Sequence, residues 1–503
     1  MKKDEYRSKV IFGNKVGKFT QVFAVKYKKF FIKKFGDDSY VKYKVRLDKD
    51  YLLYDLFDCR NIVPIENGEK ADTIEDEKAI IIGNIRMGYG HYRIAMSMAS
   101  AAKALGYNPY WFDLSNFKES TCTKILNYQN KMYSLASRIS QKSMLFNKLF
   151  WDPISMNYYK KIEGHAIDQK TTEAFVPIFK YLPKETPYIG THAFCSQGAV
   201  HAGLKTVINA IPDNWPISIH YSEGSTHTVQ TASSYLGYKS LRGMNKRQKL
   251  KPMPADSIYY VGHYVDHEIV HNVEKDCKNR LDRVRNGGEK RYLLSIGGAG
   301  AQGKLNAQII GKLLEYVNKK SAAVFINVGD HRNVMEYMLK KVPNLKDNYT
   351  VIDNDMDAVF RLFQMPNERK SGVYFFINDD IFSAVYTTNY LMRFVDCMLT
   401  KPSELAFYPV PKILIQRVGG HEMYGAIRAS ELGDGTYECP SKKEIFAMIE
   451  HFHTDNSLLE NMCYHICNNK KAGMYDGSYN AVKIAIKKME ERKEKLAKRR
   501  ENQ

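Results

Sequence analysis

Four stretches of the sequence carry residue types at spacings that could do chemistry. The first, Gly83-Asn-Ile-Arg-Met-Gly88-Tyr-Gly90-His91, has the GxxxxG skeleton of a phosphate-binding loop. Tyr89-Gly90 stands where such a loop needs a lysine and a serine or threonine for phosphate and Mg²⁺, which argues against a nucleoside triphosphatase. What remains is a strand-to-helix turn whose Gly88 and Gly90 amides, with His91, face a ligand. The competing reading is a tight turn with an incidental histidine. The second stretch, Gly298-Ala-Gly300-Ala-Gln-Gly303, is a GxGxxG between a strand pattern and a helix pattern. Glycines there let the backbone approach a diphosphate at a helix N-terminus. A dinucleotide site would also want an acid at the end of the next strand, and Asp330 comes late for it, so an NAD(P) enzyme is a minor alternative.

The third stretch, His267-Glu268-Ile-Val-His271, is a full HExxH. On a helix its two imidazoles share a face and could hold zinc, with Glu268 as base, and His263 extends the stripe. No glycine or histidine follows at the offsets of a third ligand, so a zinc metallopeptidase is a lesser alternative and no metal site is expected. His451-Phe-His453 and the Cys463/Cys467 pair match no standard metal spacing, and helical packing is the expectation for both. The fourth stretch is Lys401-Pro402-Ser403-Glu404, followed by Gly419-Gly420-His421-Glu422. Thr400 can cap a helix with Pro402 and Glu404 in its first turn. Such a helix start offers amides and a positive dipole end to a phosphate, while Glu404 can accept hydrogen bonds from sugar hydroxyls. An ordinary capped helix before a buried strand would not account for the Gly-Gly-His-Glu that follows.

Alternating strand and helix patterns must position these residues. Ala79–Ile82 reads as a strand, Ile94–Leu105 as a helix ended by Gly106, and Tyr107–Phe112 as the next strand. The rhythm returns at Tyr188–Gly190, Thr206–Ala210 and Ile217–His220, with a helical run from Asp266 to Arg285. A second unit begins with the strand Tyr292–Ile296 and the helix Lys304–Val317. Strands at Ala322–Val328, Tyr349–Asp353, Val373–Ile377 and Lys412–Ile415 follow. Repeated strand–loop–helix units predict parallel sheets, here in two successive domains joined near residues 285–290.

A chain of 503 residues suits two domains with extensions. Hydrophobic residues at 44% and charged residues at 26% exclude wholesale disorder. Nothing approaches the roughly 18 apolar residues of a membrane span, and Met1–Lys9 is too charged to open a secretory signal. Eight cysteines without a CxxC pair are no disulfide framework, which predicts a reduced, cytoplasmic setting. The net charge of +20 is concentrated at the ends: residues 1–50 hold 15 Lys/Arg against 6 Asp/Glu, and residues 483–503 hold 9 against 4. Within Phe19–Phe35, aromatic residues at helical spacing alternate with lysines. That is the pattern of a basic amphipathic helix on an anionic bilayer, or of a helix packed on the main body with snorkelling lysines. No zinc-finger spacing, RNP motif or basic helix-turn-helix supports nucleic-acid binding.

Over residues 79–470 the chain resembles GT-B glycosyltransferases, in the group holding monogalactosyldiacylglycerol synthases and the lipid II N-acetylglucosaminyltransferase. Gly88-Tyr-Gly90-His91 resembles their glycine-rich loop ending in histidine, and Val261-Gly262-His263-Tyr264-Val265 their interdomain strand and turn. Ser295-Ile-Gly297-Gly298 resembles the first strand and loop of the nucleotide domain. Lys401–Glu404 resembles the segment whose glutamate holds the donor ribose, and Gly420-His421-Glu422 the one that contacts the donor sugar. The chain departs from the pattern with Lys401-Pro402-Ser403 in place of Gly-Pro-Gly-Thr and His421 in place of glutamine.

The resemblance implies an α/β, GT-B fold of two Rossmann-like domains facing across a cleft. A basic extension (1–78) precedes the acceptor domain (79–287), and a basic helix and tail (479–503) follow the donor domain (288–478). It implies metal-independent, inverting transfer of a sugar from a nucleotide donor, UDP-linked, to a lipid or envelope acceptor at the inner face of the plasma membrane. No cofactor is implied, since the nucleotide-sugar is a substrate. Gly298, Gly300, Gly303, Ser403, Glu404, His421 and Glu422 would bind the donor. His91 would be the general base, with His192 and Asp213 as alternatives. The altered loop at Lys401 keeps open a GT-B-like protein that binds nucleotide or lipid without turnover.

Overall fold

The computed structural model describes residues 8–66, 69–142, 161–245, 248–297, 302–345, 348–364 and 368–501, with the backbone alone over 133–142. It has the two Rossmann-like α/β domains expected, as two compact units. The first comprises the described parts of Met1–Met87, Ile94–His263 and Gly477–Gln503. The second comprises Gly88–Arg93 and the described parts of Tyr264–Asp476.

The first unit opens with a hairpin, β1 (Val10–Ile11) and β2 (Asn14–Lys15), and the helix α1 (Lys18–Phe35). Eight strands follow: β3 (Val45–Asp48), β4 (Arg60–Pro64), β5 (Ala79–Asn84), β6 (Asn108–Asp113), β7 (Tyr188–Gly190), β8 (Val207–Ala210), β9 (Thr226–Val229) and β10 (Ile258–Tyr260). They form one sheet in the order β10-β9-β8-β7-β5-β6-β4-β3, parallel except for the β3–β4 edge. The β5 run Ala79-Ile-Ile-Ile is buried throughout, as a strand covered on both faces must be. Between strands lie α2 (Tyr89–Ala104), α3 (Ile162–Thr171) and α4 (Ala193–His201).

Two expectations for this unit are corrected. Residues 1–78 are no appendage. Val45 of β3, Ile62 of β4 and Phe31 of α1 share one buried cluster with Ile81 of β5, because two more apolar strands and a helix extend and cover the sheet. Ile217–His220 is not a strand: Pro212 and Pro216 cannot donate to a ladder, and Ser218–His220 makes a 3₁₀ turn whose His220 carbonyl accepts from Asn209 at 2.7 Å. The basic segment is indeed a helix, but one face of α1 is committed to packing. Phe31 is buried against Tyr27 and Tyr128, and Lys28 reaches Glu173 at 2.8 Å. Its other face leaves Phe19, Val22, Phe23 and Phe30 exposed beside lysines.

The second unit begins with α5 (His267–Arg285). Its strands are β11 (Lys290–Ser295), β12 (Ala322–Gly329), β13 (Tyr349–Asp353), β14 (Gly372–Ile377), β15 (Cys397–Thr400) and β16 (Lys412–Leu414). They form an all-parallel sheet ordered β13-β14-β12-β11-β15-β16, so every strand ends at the same edge. The helices α6 (Gly303–Val317) and α7 (Ile381–Leu391) pack on it, and α8 (Asn456–Lys471) packs on α5. The division at Tyr264 precedes α5, whereas a boundary near 285–290 was expected. Buried arginines explain the difference: Arg280 donates to the Val395 and Met392 carbonyls at 2.7 and 2.6 Å, and Arg283 pairs with Asp396 at 2.5 Å. Carbonyls just past a helix end attract cations, and these bonds tie α5 to the second unit.

The C-terminal segment is a helix as expected, α9 (Gly477–Glu501), but it is not a separate domain. It belongs to the first unit, where Asn480 donates to the Val261 carbonyl at 2.9 Å and Ser478 to Ser97 at 2.8 Å. Among the described residues no helix is long and apolar enough to cross a membrane.

Candidate functional site

The C-terminal edge of the second sheet gathers most of the expected residues. β15 ends at Thr400, and Lys401, Pro402, Ser403 and Glu404 follow it. The helix expected here is a single 3₁₀ turn, Glu404–Phe407. Ser403 makes no side-chain cap and Thr400 donates instead to the Lys401 carbonyl at 3.1 Å, so no long helix dipole is aimed from this point. The reason lies just downstream, where Pro409 and Pro411 prevent the turn from continuing.

Glu404 is seated from two sides. Its Oε1 lies 3.7 Å from Nε of Arg93, which is 1% exposed. Its Oε2 lies so near the Gly90 backbone that a Cβ on Gly90 would stand 3.2 Å away. Gly88, with φ +81°, makes the preceding turn in a conformation that only glycine adopts cheaply. Behind Arg93 runs a buried chain. Arg93 donates to Asn389 on α7, and Asn389 donates to Asp266 at 3.1 Å. Asp266 also accepts from Tyr408 at 2.9 Å. Burial pushes the Asp266 carboxyl up to about 7, with Glu268 nearby adding to the effect. A buried cation thus faces Glu404, itself oriented by a carboxylate two bonds further in.

His91 sits half-buried in the first turn of α2. Beside it Tyr89 donates to Asp330 just past β12, and a Cβ on Gly329 would come within 2.3 Å of the Tyr89 hydroxyl. Asp330, weighed as the acid of a dinucleotide site, is engaged by Tyr89 and lies 3.6 Å from His331.

Beyond β16 the chain turns through Gly419 and Gly420 into the 3₁₀ turn Gly420–Glu422. Glu422, expected to meet a sugar, has a carboxylate that is engaged within the protein. It pairs with the Lys401 ammonium and accepts from the Val418 and Gly419 amides at 2.7 and 3.1 Å. Burial opposes its charge, yet the ammonium and the amide outweigh burial and hold it below the ordinary carboxylate range. Glu422 therefore holds Lys401 in place. His421 lies against Gly419, where a Cβ would stand 2.6 Å from its ring.

Gly303 opens α6 behind Gln302, whose left-handed backbone (φ +66°) turns the chain and whose amide donates to the Gln416 carbonyl at 2.5 Å. Gly298 and Gly300 lie outside the described residues. In the first unit His192 and Asp213 follow the neighbouring strands β7 and β8. The His192 ring caps α4 by accepting from the Phe194 amide at 3.0 Å, and Asp213 lies 3.4 Å from His220.

The HExxH histidines stack on α5 with ring centroids 5.3 Å apart. Among the described residues no group of three or more His, Cys, Asp or Glu side chains is placed to hold a metal. His453 is fixed by Tyr292 and Ser321 at 3.0 and 3.1 Å and stacks on Tyr316. Burial pushes its pKa down to about 4. Sequence reasoning missed Arg93, Asp266 and Asn389. The one visible signal was an arginine inside an otherwise apolar helix pattern right after the glycine loop, since a buried arginine requires a partner.

Two family models match the chain. Residues 10–240 match one described as a domain of unknown function (DUF6937), and residues 253–486 match another described as a domain of unknown function (DUF6938). No curated protein matches the sequence. Similar solved structures include a UDP-GlcNAc 2-epimerase from Neisseria meningitidis bound to UDP-GlcNAc. It is 10% identical over 82% of this chain and 100% of that one, with a TM-score of 0.44. An alpha,alpha-trehalose 6-phosphate synthase from Burkholderia multivorans is 10% identical over 83% and 99%, with a TM-score of 0.43. A glycosyltransferase from Rickettsia africae is 13% identical over 84% and 99%, with a TM-score of 0.40.

Proposed function

We propose that this chain is a GT-B glycosyltransferase that moves a sugar from a nucleotide donor, UDP-linked, to a lipid or envelope acceptor at a cytoplasmic membrane face. The reading rests on one observation. At the C-terminal edge of an all-parallel sheet, where α/β folds take nucleotides, Glu404 is held by a buried arginine and pressed on a glycine turn. A carboxylate oriented this way can accept both hydroxyls of a ribose. The Gly298–Gly303 loop would receive the diphosphate, and His421 and Glu422 the sugar. Ser403 lines the approach to Glu404, and Gly88 and Gly90 shape the turn that carries His91.

In an inverting transfer the acceptor oxygen bonds to the anomeric carbon as the bond to the UDP oxygen breaks. The acceptor proton passes to His91, with His192 and Asp213 as alternative bases. The nucleotide leaves as a dianion-bearing diphosphate that fixed donors must stabilise.

Titrating UDP into the protein in EDTA, beside a Glu404→Ala variant, tests the reading and its metal independence together. Binding weakened about tenfold or more in the variant is expected. A wild-type protein that binds no UDP overturns it. Binding without turnover of any donor favours the second reading, a nucleotide-sensing protein that has lost catalysis, which the lysine at position 401 motivates. For the acceptor side, the exposed Phe19, Val22, Phe23 and Phe30 of α1, set among lysines, favour an anionic bilayer surface. Phe19→Ser together with Phe23→Ser should release the protein from vesicles containing anionic lipid, and unchanged binding would sink that part of the proposal.

A further inference from the structure

The hairpin β1–β2 is folded against its own sequence preference. Ile11 pairs with Asn14, so Phe12 and Gly13 are the two central residues of the turn, with φ of +48° and +76°. Asn, Asp or Gly suits the first of these positions, and a bulky phenylalanine there is strained. A hairpin tip ordinarily lies in water, yet Phe12 is only 8% exposed. Its ring lies edge-on to Tyr221 and His227, at 5.1 and 5.9 Å, and parallel to that of His165 on α3 at 6.5 Å. We infer that this hairpin is an acid-releasable latch: Phe12 plugs the first unit over His165, and protonation of His165 drives the plug out.

Two further observations carry it. His165 is 1% exposed, and neither ring nitrogen has a hydrogen-bond partner among the described residues. A charged imidazole would need such partners, so the seated plug requires the neutral ring. The latch also holds a particular segment. The Phe12 amide donates to Glu223 at 2.9 Å, and Gln169 donates to the other Glu223 oxygen at 3.0 Å. Asn14 exchanges two hydrogen bonds with the Lys251 backbone, at 2.7 and 3.0 Å. Tyr221 and Glu223 belong to the stretch that carries His220, which lies 3.4 Å from Asp213. Release would therefore loosen that pair as well.

The charges around His165 set the sign. Burial, with His227 on β9 and His201 on α4 adding to it, pushes its pKa down to about 3. Burial also lowers His227 to about 4, although its nitrogens meet the Ser222 amide and the Ser257 carbonyl at 3.0 Å each. Tyr221 is buried and pushed well up, so it stays neutral. Asp168, one turn along α3, is pushed up to about 7 and offers little counter-charge in acid. Once the plug leaves, a hydrated ring titrates near 6.5. The seated form is thus fully favoured above about pH 6.5 and loses about thirtyfold by about pH 5.

The test is hydrogen exchange of the full chain at about pH 7.5 and about pH 5, read as protection factors for residues 8–16 and 217–227, with β12 of the second unit as the reference. The wild type is expected to lose about thirtyfold protection in both segments while β12 keeps its own. His165→Phe keeps a ring without titrating and should lose less than about threefold. If that variant fails to protect β12, His165→Gln takes its place. Phe12→Ala should leave the hairpin unprotected at both pH values. Equal wild-type protection at the two pH values overturns the latch. So does an undiminished loss in the His165 variant, which would move the sensor to His227, or a loss in β12 as large as in the hairpin. A hairpin as well protected in Phe12→Ala as in the wild type overturns the plug itself. None of these outcomes depends on the function proposed above.

Discussion

Two lysine–carboxylate pairs sit on adjacent strands of the second sheet and differ in one respect. Lys412 on β16 meets Asp434 at 2.7 Å with both side chains fully buried, and Tyr475 seals the remaining oxygen at 2.9 Å. Lys401, just past β15, meets Glu422 with the ammonium partly open. Burial pushes Lys412 down and Asp434 up from their ordinary values, so each keeps its charge only through the other. The first pair is sealed and cannot reach a ligand. The second is built from the same groups but faces outward. Burial, and not the pairing itself, separates the two.

The hardest blow to this comparison would come at Lys412. Lys412→Met leaves Asp434 buried without its ammonium and should cost about 3–5 kcal/mol, read by chemical denaturation. A cost near zero would mean that the two pairs are not different in kind.

Asp266 sharpens the contrast, being buried but served by the neutral donors Tyr408 and Asn389. Its carboxyl is pushed up to about 7 in the fold, against roughly 4 in the unfolded chain. The folded state therefore binds the proton more tightly. Its contribution is fully present below pH about 4 and is lost as pH rises through about 7, by up to about 4 kcal/mol. Asp266→Asn should flatten the stability profile over that window, and an unchanged profile would remove Asp266 from the argument.

Gly90→Ala should press on Glu404 and weaken UDP about tenfold with little change in the melting temperature. Loss of both together would make Gly90 a folding residue. The smallest effect is expected for Lys401→Met on stability, below about 1 kcal/mol, as for other partly exposed pairs.

Much of this fold could be read from local patterns. The buried Ile run of β5, the strand pattern that became β11 and the helical run of α5 each announce themselves within a dozen residues. The glycine turn and the Lys401–Glu404 segment were also visible, because their residue types are unusual for plain packing. Arg93, Asp266, Asn389 and Glu404 were not visible as a group. They come from four distant parts of the sequence, and only the tertiary fold brings them together. The 3₁₀ turn at Glu404 was missed because Pro402 suits a helix start, while Pro409 and Pro411 decide how far the turn can run. The contact of Glu422 with Lys401 was not visible because the two lie 21 positions apart.

The placement of α9 in the first unit has a consequence for the order in which the protein matures. On a ribosome the chain emerges from its N-terminus, yet the first unit lacks its last helix until residues 477–501 appear. Nearly all of the second unit, residues 264–476, is made before that. At about 5–20 residues per second that interval lasts roughly 10–40 s, during which the surface awaiting Asn480 and Ser478 stays uncovered. The unit begun first is therefore completed last.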